Sequence, residues 1–276
     1  MPTRPAPLII FPSELLPSLA NTAGTAEQPT TPAALLLTRI AQEKTYSFYG
    51  PFDAASLSAS AAAFIASNSD SDAIPLATIL SRFLDHAQQD CIAEAALPDR
   101  PQIAQACWLT VRMFKPSREY EVPRWHRDGR MFACSCSYLG SEDEEELQPS
   151  IQGARRQQPH SKYAVTLLGP ATRVLVPSGV VDEALAADVQ NRGGLDDESR
   201  SRVELAEATK GCEEYTVQRG QVIRFSWGQD DSPVHSEPDF AGEDRVFVSV
   251  LFGGEEEIRG MCRFRRVSFG VVEVRG

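Results

Sequence analysis

The spacing of apolar residues changes character once along this chain. Over the first hundred residues it reads as helix and loop. The stretch "DAASLSASAAAFIAS" is alanine-rich and opens on Asp53, a good N-cap. The next, "IPLATILSRFLDHAQQ", sets Ile74, Leu76, Ile79, Leu80, Phe83 and Leu84 at helical intervals, predicting one apolar face. From residue 107 the period shortens. The runs "CWLTVRMF", "YAVTLLG", "TRVLVPS", "QVIRFSW", "RVFVSVLFG" and "CRFRRVSFGVVEV" are rich in β-branched and aromatic residues and are separated by Gly, Pro and polar turns, as short strands are. Helices first and many short strands afterwards predict a mainly β (α+β) fold, a sandwich or barrel with N-terminal helices packed on one outer face.

On this pattern residues 1–104 form a helical and loop region that buttresses a β core over 105–276, the two making one compact unit. Two inserts interrupt the core. Residues 140–161, "GSEDEEELQPSIQGARRQQPHS", are acidic, then basic and glutamine-rich, with almost nothing to bury, which predicts a mobile loop. Residues 182–215 carry two helix-like pieces broken at Gly193-Gly194. Both inserts join strands of the core, as lids over a mouth often do in enzymes.

Composition narrows the class. A hydrophobic share of 42% in 276 residues suffices for a real core. No apolar run approaches the roughly 18 to 20 residues that span a bilayer. The N-terminus lacks the charged start, long apolar centre and cleavage site of a secretory signal, although its shortage of acids leaves a weak organelle signal open. Six cysteines in a chain this long do not make a disulfide scaffold, so reduced thiols and an intracellular, cytoplasmic location are expected. A formal charge of −11 repels polyanions and argues against a nucleic-acid partner. The basic run "RGMCRFRR" (Arg259, Arg263, Arg265, Arg266) reads as a solvated edge strand whose charges discourage pairing, in preference to a local positive patch.

The chemistry concentrates in "VPRWHRDGRMF" (122–132). Only four histidines occur in the chain, and one, His126, lies two residues before Asp128. Alternate strand residues share a face, so the imidazole and carboxylate point the same way. His235 follows the strand "GQVIRFSW" and offers a third group. Two imidazoles and one carboxylate form the facial triad that leaves three positions open on a non-haem Fe(II). The bland alternative is a set of polar residues at strand ends.

With "WHRD", with "GQVIRF" running into "PVHSEP", and with Arg245 ten residues after His235, the chain over about 105–270 resembles the Fe(II)/2-oxoglutarate-dependent oxygenases. The resemblance implies a double-stranded β-helix (jelly roll, cupin-like), with His126, Asp128 and His235 as iron ligands. It implies Arg245 as the anchor for the far carboxylate of 2-oxoglutarate, through two parallel hydrogen bonds from a planar guanidinium. It implies hydroxylation of a small-molecule or protein substrate that the residues do not identify, with the co-substrate decarboxylated to succinate. Many relatives carry Ser or Thr two residues past the arginine, where this chain has Phe247; Ser249, Tyr163 and Lys162 are the candidates for the second polar contact. Two further classes stay open: a cupin-like metalloprotein that does not use 2-oxoglutarate, and a non-catalytic barrel that binds a partner.

The other polar residues are expected to play lesser parts. Arg112 shares a strand face with Thr110 and Phe114 and is read as facing outward. Arg127 and Arg130 bracket Asp128 and either contact an anionic substrate or offset the net charge. His86 is placed on the polar side of a helix and His160 in the mobile insert. Cys134 and Cys136, with no matching second pair, are read as core cysteines. Trp125 and Trp227 suit core packing or a pocket wall.

Overall fold

A computed structural model describes residues 6–12, 16, 37–94, 101–129, 160–191, 198–228 and 230–276. Along the chain run β1 (Leu8–Ile10), β2 (Lys44–Pro51), α1 (Ala54–Ser67), α2 (Ala73–Glu94), a 3₁₀ turn (Pro101–Ala104), β3 (Ala106–Phe114), β4 (His160–Leu168) and β5 (Arg173–Val174). There follow α3 (Gly179–Asn191), α4 (Glu198–Ala208), β6 (Ile223–Trp227), β7 (His235–Ser236), β8 (Arg245–Gly253), α5 (Glu255–Arg265) and β9 (Val272–Arg275). The fold is α+β and mostly antiparallel.

Seven strands form one sheet in the order β1-β6-β4-β8-β3-β2-β9. A second, fragmentary layer pairs β5 with β7 and is extended by an isolated bridge between His126 and His235 on one side and between Leu175 and Glu214 on the other. Strand alternation divides the residues of the large sheet between two environments. On β8, Val246, Val248, Val250 and Phe252 join the main core, while Arg245, Phe247, Ser249 and Leu251 line a cleft toward the second layer.

The helices α1 and α2 cover the core face. Asp53 caps α1, its carboxylate accepting from the Ala55 and Ser56 N–H groups at 3.1 and 3.3 Å. From α2, Leu76, Ile79, Leu80, Phe83, Leu84 and Ala87 are buried; removing each of the large ones from water contributes roughly 1.5–3 kcal/mol. Ile74, expected on that face, is 82% exposed, because it lies two positions, or about 200° of helix rotation, from Leu76.

Three expectations need correction. The first hundred residues also contribute strand: β2 pairs with β3 along its whole length and β1 pairs with β6, because "KTYSFYGP" has the aromatic content of a strand and an open sheet edge to join. The run "RGMCRFRR" lies in a helix over most of its length. Three acids open α5, the Glu257 carboxylate accepts the Gly254 N–H at 2.8 Å, and Arg263 and Arg265 fall in the last turn, so the charges follow the helix dipole. Lastly, α3 and α4 pack against Trp125, Leu175 and Val234. Trp125 and Val234 each precede a cleft-facing histidine by one residue, so these helices back the second layer and do not cover its mouth. The break at Gly193-Gly194, Arg130, the Cys134–Cys136 pair and residues 140–159 lie outside the described residues, whereas His160 and Ser161 begin β4. No helix among the described residues is long and apolar enough to cross a membrane.

Candidate metal centre

The backbone ties two of the three proposed ligands together. The His126 and His235 N–H groups each donate to the other residue's carbonyl at 3.0 Å, an antiparallel bridge that closes more than a hundred residues of chain and sets the rings 4.4 Å apart. The ring Nδ1–H of His126 donates to the Arg124 carbonyl at 2.8 Å, and that of His235 to the Pro233 carbonyl at 3.1 Å. A carbonyl only accepts, so each Nδ1 carries a proton and Nε2 is the ring nitrogen left to face a metal. Burial, opposed by the Asp128 charge, holds the His235 pKa down at about 3, which keeps this ring neutral.

Asp128 completes the group. Its Oδ1 lies 3.8 Å from His126 Nε2 and its Oδ2 3.7 Å from His235 Nε2. One ligand atom from each of the three residues falls within 4.8 Å of the others. Burial alone raises the Asp128 pKa, but the ammonium of Lys162, with smaller help from the imidazoles, overrides it and holds the carboxyl at about 2. Lys162 donates to Oδ2 and lies 4.6 Å from the centre of the Phe225 ring. Two imidazole nitrogens and an ionised carboxylate oxygen on one side of a cleft suit a divalent transition metal.

The arginine expected to read a carboxylate lies in the same cleft. Arg245 opens β8, is 2% exposed, and donates from Nε to the Pro170 carbonyl at 3.1 Å and from Nη2 to the Thr172 hydroxyl at 3.3 Å. The Phe247 ring lies 4.8 Å from its guanidinium carbon. Burial lowers its pKa to about 10, Glu237 working against the shift and Arg112 with it. Gly169, at φ +78°, packs under this strand, where a Cβ would run into the Asp244 carbonyl oxygen and reach Arg245 Cα at 3.1 Å.

Arg124 and Glu237 also line this end and went unnoticed in the sequence. Arg124 donates to Glu237 Oε1 at 3.0 Å, while Oε2 is buried without a hydrogen-bond partner among the described residues. Each stands two residues from a cleft-facing histidine, so the alternation that selected Asp128 would have found both.

The remaining candidates separate cleanly. Ser249 and Lys162 line the cleft. Tyr163 does not: adjacent strand residues face opposite ways, and its hydroxyl donates to Asp90 at 2.8 Å on the helix side. Arg112, expected outside, lines the cleft opposite Phe247. Arg127 instead pairs with Asp182 at 2.6 Å. His86 meets the Phe11 ring edge-on, and His160 stacks on Trp227. The cleft therefore presents five cations (Arg112, Arg124, Lys162, Arg245, Arg265) against Asp128 and Glu237, in a chain of formal charge −11.

No protein-family model matches the chain, and no curated protein matches it. Among solved structures, a prolyl-4-hydroxylase from Pseudomonas putida is similar over 90% of this chain and 92% of its own, at 11% identity and a TM-score of 0.29. A likeness of that degree carries no argument about fold or activity.

Proposed function

We propose that this chain is a non-haem Fe(II)/2-oxoglutarate-dependent oxygenase with a double-stranded β-helix core. The observation that carries the reading is the convergence of three side chains: one ligand atom each from His126, Asp128 and His235 falls within 4.8 Å of the others, and both imidazoles are held through Nδ1 by a carbonyl. The strand order supports the jelly-roll part. A layer β6-β4-β8-β3 stands opposite a layer that runs from Glu214 through β5 and β7 to His126, and successive segments alternate between the two except for β5 and Glu214, which are neighbours in one layer.

His126, Asp128 and His235 would hold the metal from one side and leave its other positions facing the cleft. Bound Fe(II) with 2-oxoglutarate would supply oxygen activation for hydroxylation of a substrate, with succinate and carbon dioxide released. Arg245 fixes the far carboxylate of the co-substrate, and its burial makes each charge-assisted hydrogen bond stronger than it would be in water. Thr172 and Ser249 are the hydroxyls in the cleft that can add a second contact. Lys162 holds Asp128 Oδ2 and so orients the carboxylate. Phe225, 4.6 Å from the His235 ring centre, keeps water from that side of the imidazole.

A second reading, a metalloprotein of this fold that does not use 2-oxoglutarate, is favoured by one feature. Glu237 already stands among the arginines at the anchor end, where it repels an incoming carboxylate. One titration separates the two. Wild-type protein loaded anaerobically with Fe(II) is expected to develop a visible charge-transfer band on addition of 2-oxoglutarate, and His126→Ala none. A wild type that binds Fe(II) but shows no band favours the second reading. A wild type that binds no Fe(II) removes both.

A further inference from the structure

The cleft extends well past the metal centre. Arg245 lies at one end of β8, and Leu251 is six residues along, roughly 20 Å of strand. Leu251 pairs with Trp108 on one side and with Lys162 on the other. At that far end Trp108 stacks on Tyr49, with ring centres 5.4 Å apart and planes 11° from parallel. The guanidinium of Arg265, from the last turn of α5, lies 4.2 Å from the Trp108 ring centre.

One donor there lacks an acceptor, and a second lacks a carboxylate. The Trp108 indole N–H is buried and has no hydrogen-bond partner among the described residues. Such a group can only donate, so an acceptor is the one partner that satisfies it. Arg265, exposed on α5, donates to the Tyr49 hydroxyl but forms no ion pair with a carboxylate among the described residues. Another arginine of α5 behaves differently: Arg259 is held by Glu255 at 2.6 Å. A guanidinium over an indole face, with an unmet N–H in the same wall, is a pair of donors that fits an anionic head group attached to a flat or apolar body.

We propose that Arg265 and Trp108 form a subsite for the primary substrate, and that this substrate is a small organic acid whose carboxylate meets Arg265 and whose body lies along Trp108 and Leu251. The assignment of this end to the substrate rests on the reading that Arg245 takes the co-substrate. The carboxylate subsite itself rests only on the residues named here. The α5 arginines then have a use that a solvated strand edge would not give them.

Ligand-detected NMR titration of the full-length protein with phenylacetate and with phenylacetamide tests this. Saturable binding of phenylacetate is expected. Phenylacetamide, and phenylacetate with Arg265→Gln, should each bind about tenfold more weakly, the range of a charge-assisted hydrogen bond. Trp108→Phe, which keeps a ring and removes the N–H, should weaken binding about fivefold. The proposal is overturned by no saturable binding, by equal binding of the amide, by an Arg265→Gln variant that binds like wild type, or by a loss seen only in Arg245→Met. Mn(II) binding to the wild type is measured alongside. Its failure would remove the oxygenase reading, while charge-selective binding at Arg265 would still stand.

Discussion

Two arginines are buried on opposite faces of the same sheet, and their surroundings differ. Arg224, on β6, is 0% exposed and faces the helices. Its Nη1 meets Asp90 Oδ2 at 2.9 Å and Glu94 Oε1 at 3.1 Å, and Asp90 also accepts from Tyr163, the residue directly across the strand pair. Arg245, on β8, is 2% exposed and faces the cleft. Among the described residues it has a carbonyl and a hydroxyl for partners and no carboxylate within ion-pair distance. A cation removed from water needs an anion close by. Where the chain supplies that anion the arginine is structural; where it does not, the proposed function has one arrive from solution.

Substitutions can break this comparison. Arg224→Met strands Asp90 and Glu94 and should lower unfolding free energy by about 3 kcal/mol, read from urea denaturation; a loss below about 1 kcal/mol would mean that the cluster is not structural. Arg245→Met strands no carboxylate, so stability should move by less than about 1 kcal/mol. The same change should weaken 2-oxoglutarate binding to Mn(II)-loaded protein about 100-fold by calorimetry, as the loss of a buried charge partner does. Tyr163→Phe should cost about 1 kcal/mol of stability and leave that binding unchanged, since its hydroxyl serves Asp90. The smallest effect is expected at His86. Burial against Phe11 depresses its pKa below the usual 6.5, with Asp90 opposing. The folded protein therefore resists protonation that the unfolded chain accepts. Its contribution is complete above pH 6.5 and is lost as the pH falls through the lower folded value. His86→Leu should flatten the decline of stability between pH 7 and 5.

The site was more legible than the frame around it. His126, Asp128 and His235 stand out because alternation and strand boundaries survive without knowledge of packing, and Arg245 through the resemblance to the oxygenases. Lys162 and Tyr163 were grouped as alternatives, yet neighbours on a strand cannot share a face, so one had to leave. The Arg265 contact could not be seen while "CRFRR" was read as strand. The acids at 255–257 and the arginines at 263 and 265 were helix signals outweighed by the β-rich stretch that follows. β2 hid behind two strong helical patterns, and its partners lie 55 or more residues further on, a pairing that no local window displays.

Gly169 carries a consequence for anyone altering this protein. The orientation of Arg245 depends on empty room left by a neighbour that touches no ligand at all. In a saturation library at 169, even alanine should push the Asp244–Arg245 peptide aside and misdirect the guanidinium. Position 169 should therefore score as intolerant as the histidines, and a screen would flag it as essential although it has no side chain to do any chemistry.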